Sequence, residues 1–251
     1  MSPQIKLVSL NIEYYKHLDT VLPFLKSRAA DVICLQEILE RDLERFRSEL
    51  KRPFIFAKTS DIPIDDPQHK GDLIMGDAIF SSLPIIKSGV EYYAMHSYDA
   101  RSDVPEMLYP LANRALTLCD VDTGGSVFRI CTTHCTWTPN GKPNDVQRQD
   151  VRKLLSMLES KGEFVLCGDF NAPRGGEVFA RLAEKYKDNI PAHYKTSLDP
   201  SLHRSGKTHP EELMDKMVDG IFSTPGYTVS NVEMVCGVSD HCALVATVSK
   251  T

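Results

Sequence analysis

The chain has 251 residues, which is enough for one large domain with a sizeable core. Hydrophobic residues make up 42% of the chain and charged residues 25%, which excludes a chain that is disordered throughout. The formal net charge of −5 argues against a protein that coats nucleic acid broadly, but it is compatible with an enzyme that contacts a few phosphates through a metal ion.

The first half of the chain alternates predicted strands and helices. An apolar run at 5–12 predicts a strand, and Leu18, Val21, Leu22 and Leu25 follow it at helical spacing. Residues 31–37 predict a second buried strand, and the apolar spacing over 39–50 predicts an amphipathic helix that ends before Pro53. Further strands are predicted at 54–58 and 77–82. The intervening residues 60–76 are rich in Pro, Asp and Gly and predict a loop or a hairpin insertion.

The second half continues in the same way. Strands are predicted at 115–121 and 127–136 on either side of a turn at 122–125, followed by a helix at 146–158. A short buried strand at 164–167 and a helix at 177–186 precede a long polar segment, 190–216, which predicts a surface loop. The remaining strands are predicted at 218–223, 228–234 and 242–248. The pattern predicts a single α/β domain over residues 1–251, with two packed mixed sheets flanked by helices.

Cysteine usage and apolar runs bear on the compartment. The seven cysteines form no Cys-x-x-Cys pair, and a disulfide framework or a zinc site would need different spacing. No run approaches the 18 apolar residues of a membrane span, and the first residues lack the apolar segment of a signal peptide. We therefore expect reduced, mostly buried thiols in a cytoplasmic protein without a membrane span.

Polar residues recur where the buried strands end or begin. Taken one at a time, each has an ordinary structural explanation, such as a turn residue, a helix-dipole partner or a satisfied core histidine. Together they recur at similar points of the predicted topology, where ligands bind in open α/β sheets. Buried carboxylates are costly without a partner, and a divalent cation would be a natural one. The positions are Asn11, Glu37, His134, Asp169, Asn171, Asp219, Asp240 and His241.

The motifs around these positions resemble, in order, the motif set of the endonuclease/exonuclease/phosphatase superfamily of metal-dependent phosphoesterases. The motifs are Leu-Asn at 10–11, Leu-Gln-Glu at 35–37, Thr-His at 133–134, Gly-Asp-Phe-Asn at 168–171, Val-Asp at 218–219 and Ser-Asp-His at 239–241. The resemblance covers nearly the whole chain. It implies a four-layer α/β sandwich, in which two mixed β-sheets pack face to face between helices.

The resemblance also assigns roles to individual residues. It implies that Glu37, with Asn11 and Asp240 beside it, binds Mg2+, with Mn2+ as a substitute. Asp169 would orient or deprotonate the attacking water, and Asn171 would hold that water or a phosphate oxygen. The remaining roles concern the phosphate. His241 would contact its oxygens, and Asp219 would orient His241. His134 would contact the scissile phosphate or assist the leaving group, and Arg114 would be a basic residue near the phosphate.

The substrate is less well specified than the chemistry. Residues after Asn11 and Glu37, and the histidine at position 134, differ from the abasic-site endonuclease pattern, and nothing indicates the export that secreted relatives need. We expect a phosphodiesterase acting on a phosphoester of nucleic acid, single-stranded or terminal, or on a nucleotide-like ester, without an obligate protein partner. A phosphatase acting on a small-molecule or lipid-linked phosphate ester and a non-catalytic binding module with the same fold are the alternatives.

Three loops are expected to select the substrate: 60–76, 91–113 and 190–216. Trp137, three residues after His134, is expected to face the substrate, and Tyr109 is a second aromatic candidate, because aromatic faces can stack on bases. The histidines of the third loop, His193, His203 and His209, lack metal-ligand spacing and are expected to be solvated.

Overall fold

Two six-stranded mixed sheets form the centre of the fold. The computed structural model describes residues 3–63, 72–95 and 112–251. The strand order is β11-β12-β1-β2-β4-β3 in the first sheet and β5-β6-β7-β8-β10-β9 in the second. The strands are β1 Gln4–Asn11, β2 Val32–Leu39, β3 Phe54–Pro63, β4 Asp72–Ser81, β5 Ile85–Ala94, β6 Arg114–Asp122, β7 Val127–His134, β8 Val165–Asp169, β9 Lys187–Asp188, β10 Asp219–Ser223, β11 Tyr227–Val235 and β12 Ala243–Lys250.

Among the described residues, four α-helices cover the outer faces of the two sheets. They are α1 Leu18–Arg28, α2 Leu43–Leu50, α3 Asp145–Leu158 and α4 Glu177–Lys185. Apolar residues of α1 and α2, such as Leu25 and Phe46, pack on the first sheet, while those of α3 and α4, such as Leu154 and Leu182, pack on the second. A third cluster, which includes Leu7 and Ile130, fills the space between the sheets. The layers therefore run helix, sheet, sheet, helix, and the expected four-layer α/β sandwich is confirmed.

The sheet topology brings distant polar residues to one edge of the sandwich. Strands β1 and β2 are parallel, as are β7 and β8, so the carboxyl ends of each pair lie together. Strands β12 and β10 run antiparallel to β1 and β8, which places the residues at their amino ends beside those carboxyl ends. Asp219 is paired in register with Asp169, and His134 is also paired with Asp169. Residues from both ends of the chain therefore meet at this edge.

Several predicted elements differ from the observed ones. The helix predicted from residue 39 begins only at Leu43, because Leu39 ends β2 and a short 3-10 turn, Glu40–Asp42, follows it. Residues 60–63 and 72–76 belong to the paired strands β3 and β4, so of the two predictions for this segment the hairpin is the correct one. Residues 91–94, predicted as part of a loop, belong to β5. The sequence did not predict this strand because polar and apolar residues do not alternate regularly along it.

The expectation that the cysteines are free thiols is wrong for one pair. Cys236 and Cys242 form a disulfide, six positions apart in the sequence. The other five cysteines are buried free thiols, as expected. The bonded pair escaped the sequence analysis because its spacing matches no zinc or redox motif, and only the return from β11 into β12 brings the two residues together.

Candidate active site

Asp169 lies at the centre of the polar cluster. It ends β8 and is 1% exposed. One carboxylate oxygen, Oδ1, accepts a hydrogen bond from the backbone N–H of Asn171 at 2.8 Å, and the other, Oδ2, accepts from Asn11 Nδ2 at 3.2 Å. Gly168 makes this arrangement possible, because a Cβ there would lie 2.0 Å from the Thr133 carbonyl oxygen of the adjacent strand. The two hydrogen bonds therefore fix the orientation of the Asp169 carboxylate at this edge of the sheet.

Two histidines face the same oxygen of Asp169. His134 Nε2 lies 3.4 Å from Asp169 Oδ2, and His241 Nε2 lies 3.9 Å from it. His241 Nδ1 in turn lies 2.7 Å from Asp219 Oδ2, so Asp219 fixes the orientation of that ring. The family resemblance implied that Asp219 orients His241, and the structure places the two side chains in contact.

The charge states of these two histidines differ because their neighbours differ. Burial lowers the pKa of His134 to about 4, with a further contribution from the positive charge of Arg114, although Asp169 acts in the opposite direction. Burial acts to lower the pKa of His241 as well, but the carboxylates of Asp219 and Asp169 outweigh it and raise that pKa well above its ordinary value. At neutral pH the site therefore holds a neutral imidazole at position 134 and an imidazolium at position 241.

Glu37 reaches the cluster through a β-bulge. The pairing of β2 with β4 shifts register between Leu35 and Ile38, and Glu37 has a positive φ of 59°. A bulge of this kind turns a side chain away from the regular alternation of a strand. The Glu37 carboxylate lies 4.0 Å from His134 Nε2. Burial, and secondly the charge of Asp240, raise its pKa to about 8, while Asn11 acts to lower it.

Arg114 and Asn171 complete the set that the sequence proposed. Arg114 begins β6, is buried and donates through Nη1 to the His134 carbonyl oxygen at 3.3 Å. Asn171 has a positive φ of 49°, and its Nδ2 donates to the Cys135 carbonyl oxygen at 2.9 Å. The Asn171 amide oxygen is therefore the side-chain atom that remains to accept a hydrogen bond from a water molecule.

A cavity of about 270 Å³ opens over this cluster. Among the proposed residues, Glu37, Arg114, His134, Trp137, Asp169, Asn171, Asp240 and His241 line it. Asn11 and Asp219 are buried behind its wall, where they hold Asp169 and His241. Tyr109 lies outside the described residues. The cavity thus brings together most of the side chains that the motifs indicated, with two more in supporting positions.

Some residues at the cavity carried no signal in the sequence analysis. Glu13 and Lys16 line the cavity just after β1, and the Glu13 carboxylate contacts both Lys16 and His17. His203 was expected to be a solvated loop histidine, but it is half-buried and also lines the cavity, with Arg204 next to it. The position of Glu13, two residues after Asn11, could have drawn attention to it, whereas only the folded loop places His203 here.

Another unanticipated residue, Asp77, is buried beneath the site. It lies on β4 opposite the bulge that carries Glu37, and it is 0% exposed. Neither carboxylate oxygen has a well-formed hydrogen bond among the described residues, although the backbone N–H groups of His134 and Glu37 lie near it and act to lower its pKa. Burial raises its pKa to about 7, with the charge of Arg114 acting against this change. A single carboxylate within an otherwise apolar strand pattern was the available sequence signal.

The donor atoms at the cavity fit a hard divalent cation. The charge of Asp240 acts to raise the pKa of Glu37, the charge of Glu13 acts to raise that of Asp240, and all three carboxylates line the cavity. The cost of placing several carboxylates in one poorly hydrated cavity is removed when a cation binds them. Oxygen donors of this type suit Mg2+ or Mn2+.

A two-sheet sandwich that gathers carboxylates and histidines in one cavity at its edge is the arrangement expected of a phosphoester hydrolase. The chain belongs to the Endonuclease/Exonuclease/phosphatase family, whose model matches residues 8–241. Members of this family are hydrolases that act on phosphoesters.

Solved structures share this fold. An endonuclease/exonuclease/phosphatase from Bacteroides vulgatus superposes with a TM-score of 0.70 at 19% identity, covering 99% of this chain and 100% of that one. The catalytic domain of human Nocturnin with a bound sulfate anion gives a TM-score of 0.71 at 18% identity, covering 99% and 94%. The mannosyl-6-phosphatase Bt3783 of Bacteroides thetaiotaomicron gives 0.66 at 14% identity, covering 97% and 99%. At these identities the similarity establishes the fold alone.

Neither a similar curated sequence nor, among the residues that the structure describes, a membrane-spanning helix was found. No curated protein sequence matches the chain. Over the part of the chain that the structure describes, no helix combines the length and the apolar character needed to cross a membrane.

Proposed function

We propose that the protein is a divalent-metal-dependent phosphodiesterase that hydrolyses a phosphoester by in-line attack of a water molecule activated by Asp169. The observation that carries this proposal is the position of one Asp169 oxygen between two histidines whose pKa values are shifted in opposite directions, 3.4 Å from His134 Nε2 and 3.9 Å from His241 Nε2. Hydrolysis of an anionic ester needs a group that accepts a proton from the water molecule and a group that donates a hydrogen bond to the phosphate.

Asp169 is the base in this proposal. Its carboxylate accepts a proton as the water oxygen forms a bond to phosphorus and the bond from phosphorus to the leaving oxygen breaks. Hydrogen bonds from Asn11 and from the Asn171 backbone hold the carboxylate in place. The Asn171 amide oxygen accepts the second hydrogen of the water, so the water is oriented before it attacks.

His241 and Arg114 face the negative charge that develops on the phosphate. His241 carries a proton because Asp219 and Asp169 surround it, and its Nε2–H donates to a phosphoryl oxygen. The Arg114 guanidinium lines the cavity near His134 and adds a positive charge to the same side. These donors are fixed before the substrate binds, which lowers the cost of reorganisation in the transition state.

Glu37 and Asp240, with Glu13 beside them, are the residues proposed to hold Mg2+ or Mn2+, and Asn11, which was also expected to bind the cation, lies behind them and hydrogen-bonds to Glu37. When bound, the cation supplies positive charge to the phosphoryl oxygens, so that a water molecule can approach an anionic ester. The raised pKa of Glu37 supports this assignment, because a carboxylate in this position favours either a proton or a cation.

Nucleic acid or a nucleotide-like ester is the substrate class that we propose. Trp137 is half-buried and lines the cavity three residues after His134, where its ring face can stack on a base.

Hydrolysis of bis-p-nitrophenyl phosphate tests the proposal. The purified protein should release p-nitrophenol with Mg2+ or Mn2+ and lose this activity in excess chelator. Asp169→Asn should lower kcat by about 10²–10³-fold, because the amide cannot accept the proton from water. A parallel assay with p-nitrophenyl phosphate measures any preference for monoesters.

Asp215→Asn is the matched control, because Asp215 is an exposed aspartate outside the cavity. It should retain the activity of the parent protein, and circular dichroism should give the same spectrum for both variants. Full activity of Asp169→Asn, or activity that persists in chelator, would contradict the proposal.

A further inference from the structure

A tight turn at 198–206 is built directly onto the segment that carries Asp240 and His241. The Asp199 backbone N–H donates to the Asp240 carbonyl oxygen at 2.8 Å, and Asp199 Oδ2 accepts from the Gly237 N–H at 2.6 Å. Leu198 also forms an isolated β-bridge with His241. The turn is therefore positioned by the same backbone that positions His241, although it belongs to the loop expected only to cover the surface.

The interior of this turn is also fixed. The His203 N–H donates to the Asp199 carbonyl oxygen at 2.8 Å, and the Gly206 N–H donates to the His203 carbonyl oxygen at 2.8 Å. A Cβ at Gly206 would lie 1.8 Å from the Pro200 carbonyl oxygen, so only glycine allows the turn to close this tightly. The side chains of His203 and Arg204 are therefore presented to the cavity from a well-defined backbone.

The His203 ring offers a hydrogen-bond donor. Its Nδ1 accepts a hydrogen bond from the Ser205 backbone N–H at 3.1 Å, so that nitrogen carries no proton. The ring proton consequently lies on Nε2, and the half-buried ring lines the cavity together with Asp240 and His241.

Arg204 adds a positive charge beside this donor. Its side chain is exposed and lines the cavity, and among the described residues no carboxylate lies within ion-pair distance of it. Lys216, at the other end of the same loop, lines the cavity as well and is held by the Asn140 carbonyl oxygen. The loop thus contributes two cations, Arg204 and Lys216, and one carboxylate, Glu212, to the lining of the cavity.

We propose that His203 and Arg204 form a second anion site, which binds a phosphate group next to the scissile one. The inference rests on the proposed function and deepens it: the preferred substrates are phosphodiesters that carry a further phosphate, as nucleotides with two phosphates do. A guanidinium presents paired N–H groups that match the oxygens of a phosphate, and His203 Nε2–H supplies an additional donor. His241 remains on the scissile phosphate, so the two phosphates are bound by adjacent but different residues.

Two chromogenic esters that differ by one phosphate test this inference. Thymidine 5′-(p-nitrophenyl phosphate) and its 3′-phosphorylated derivative both release p-nitrophenol, so the ratio of their kcat/KM values isolates the contribution of the added phosphate. The parent protein should favour the 3′-phosphorylated ester by about tenfold, which is typical of one or two hydrogen bonds to a charged group. Arg204→Gln should reduce this ratio to less than twofold. His203→Ala should reduce it as well, and His203→Gln, which keeps an N–H donor, should recover part of it.

Lys207→Gln is the matched control. Lys207 is an exposed lysine three residues after Arg204 in the same loop, and it does not line the cavity. Its substitution therefore removes one positive charge from the loop without altering the proposed site. The ratio should stay near that of the parent protein in this variant. If Lys207→Gln lowers the ratio as much as Arg204→Gln does, the effect reflects the overall charge of the loop and the inference is wrong.

The remaining outcomes separate the inference from the proposed function. Hydrolysis of both esters at similar kcat/KM by the parent protein would overturn the second anion site and leave the phosphodiesterase intact. A preference that Arg204→Gln and His203→Ala leave unchanged would do the same. If neither these esters nor bis-p-nitrophenyl phosphate is hydrolysed with Mg2+ or Mn2+, the proposed function itself fails.

Discussion

His134 and His241 illustrate how neighbouring charges set the state of a buried residue. Both rings are buried and both approach Asp169, yet the pKa of one is lowered and that of the other is raised. The difference lies in Asp219, which contacts His241 at 2.7 Å, and in Arg114, whose charge acts on His134. Environments that separate the charge states of two like residues are typical of sites that transfer protons.

Asp77 provides a prediction of stability against pH. Its pKa is about 7 in the folded protein and 3.8 for an ordinary aspartate, so at this position the folded state binds more protons between these values. The contribution of Asp77 to the free energy of unfolding therefore falls as pH rises through this range. Asp77→Asn removes this cost, and its stabilisation relative to the parent protein should grow from little near pH 4 to on the order of 4 kcal/mol at pH 8.

Urea unfolding at pH 5 and pH 8 measures this difference. The advantage of Asp77→Asn should be larger at pH 8 than at pH 5, while the exposed Asp215→Asn variant should show no such change. An Asp77→Asn variant that gains no stability between the two pH values would show that the buried carboxylate has partners that offset its burial.

The elements differ in how much of each the sequence could predict. Strands such as β8 are buried throughout and short, and they were anticipated because continuous apolar runs mark them. Strand β5 was not, because its exposed and half-buried residues include lysine, serine and glycine, and its position at the sheet edge relaxes the apolar pattern. The bulge that aims Glu37 was also invisible, since it depends on the register between β2 and β4.

The disulfide between β11 and β12 gives a prediction at this scale. Cys236 and Cys242 close a short loop that contains Ser239, Asp240 and His241. A cross-link of this loop length restricts the unfolded chain by about 2 kcal/mol in the chain-entropy model. Replacing both cysteines by serine should therefore lower the melting temperature by roughly 5 °C.

Thermal unfolding with and without a thiol reductant provides the comparison. The reductant should lower the melting temperature of the parent protein towards that of the double variant and leave the double variant itself unchanged. Equal melting temperatures of the parent protein and the double variant without reductant would mean that the cross-link adds no stability.

At the scale of the whole molecule, the site depends on contacts between residues far apart in the sequence. Asn11 and Asp169, which form a hydrogen bond, are 158 positions apart. The ordered motifs pointed to most of the residues of the proposed active site. They could do so because residues at strand ends on the same edge of a sheet lie close together, however far apart they are in the sequence. Asp77 and His203 belong to no motif, and their places follow from how the two sheets face each other and how the long loop folds back.

Divalent-cation binding should stabilise the whole molecule, because only the folded chain brings Glu37 and Asp240 together. A ligand present at 100 times its dissociation constant stabilises a folded protein by about 2.7 kcal/mol, so saturating Mg2+ or Mn2+ should raise the melting temperature by roughly 5–10 °C. Since the pKa of Glu37 is about 8, the cation competes with a proton below that pH, and the increase should be larger at pH 9 than at pH 6. Glu37→Gln should lose most of the increase at both pH values, whereas Glu40→Gln, at an exposed position three residues further on, should keep it. An increase of the same size in Glu37→Gln would place the cation elsewhere.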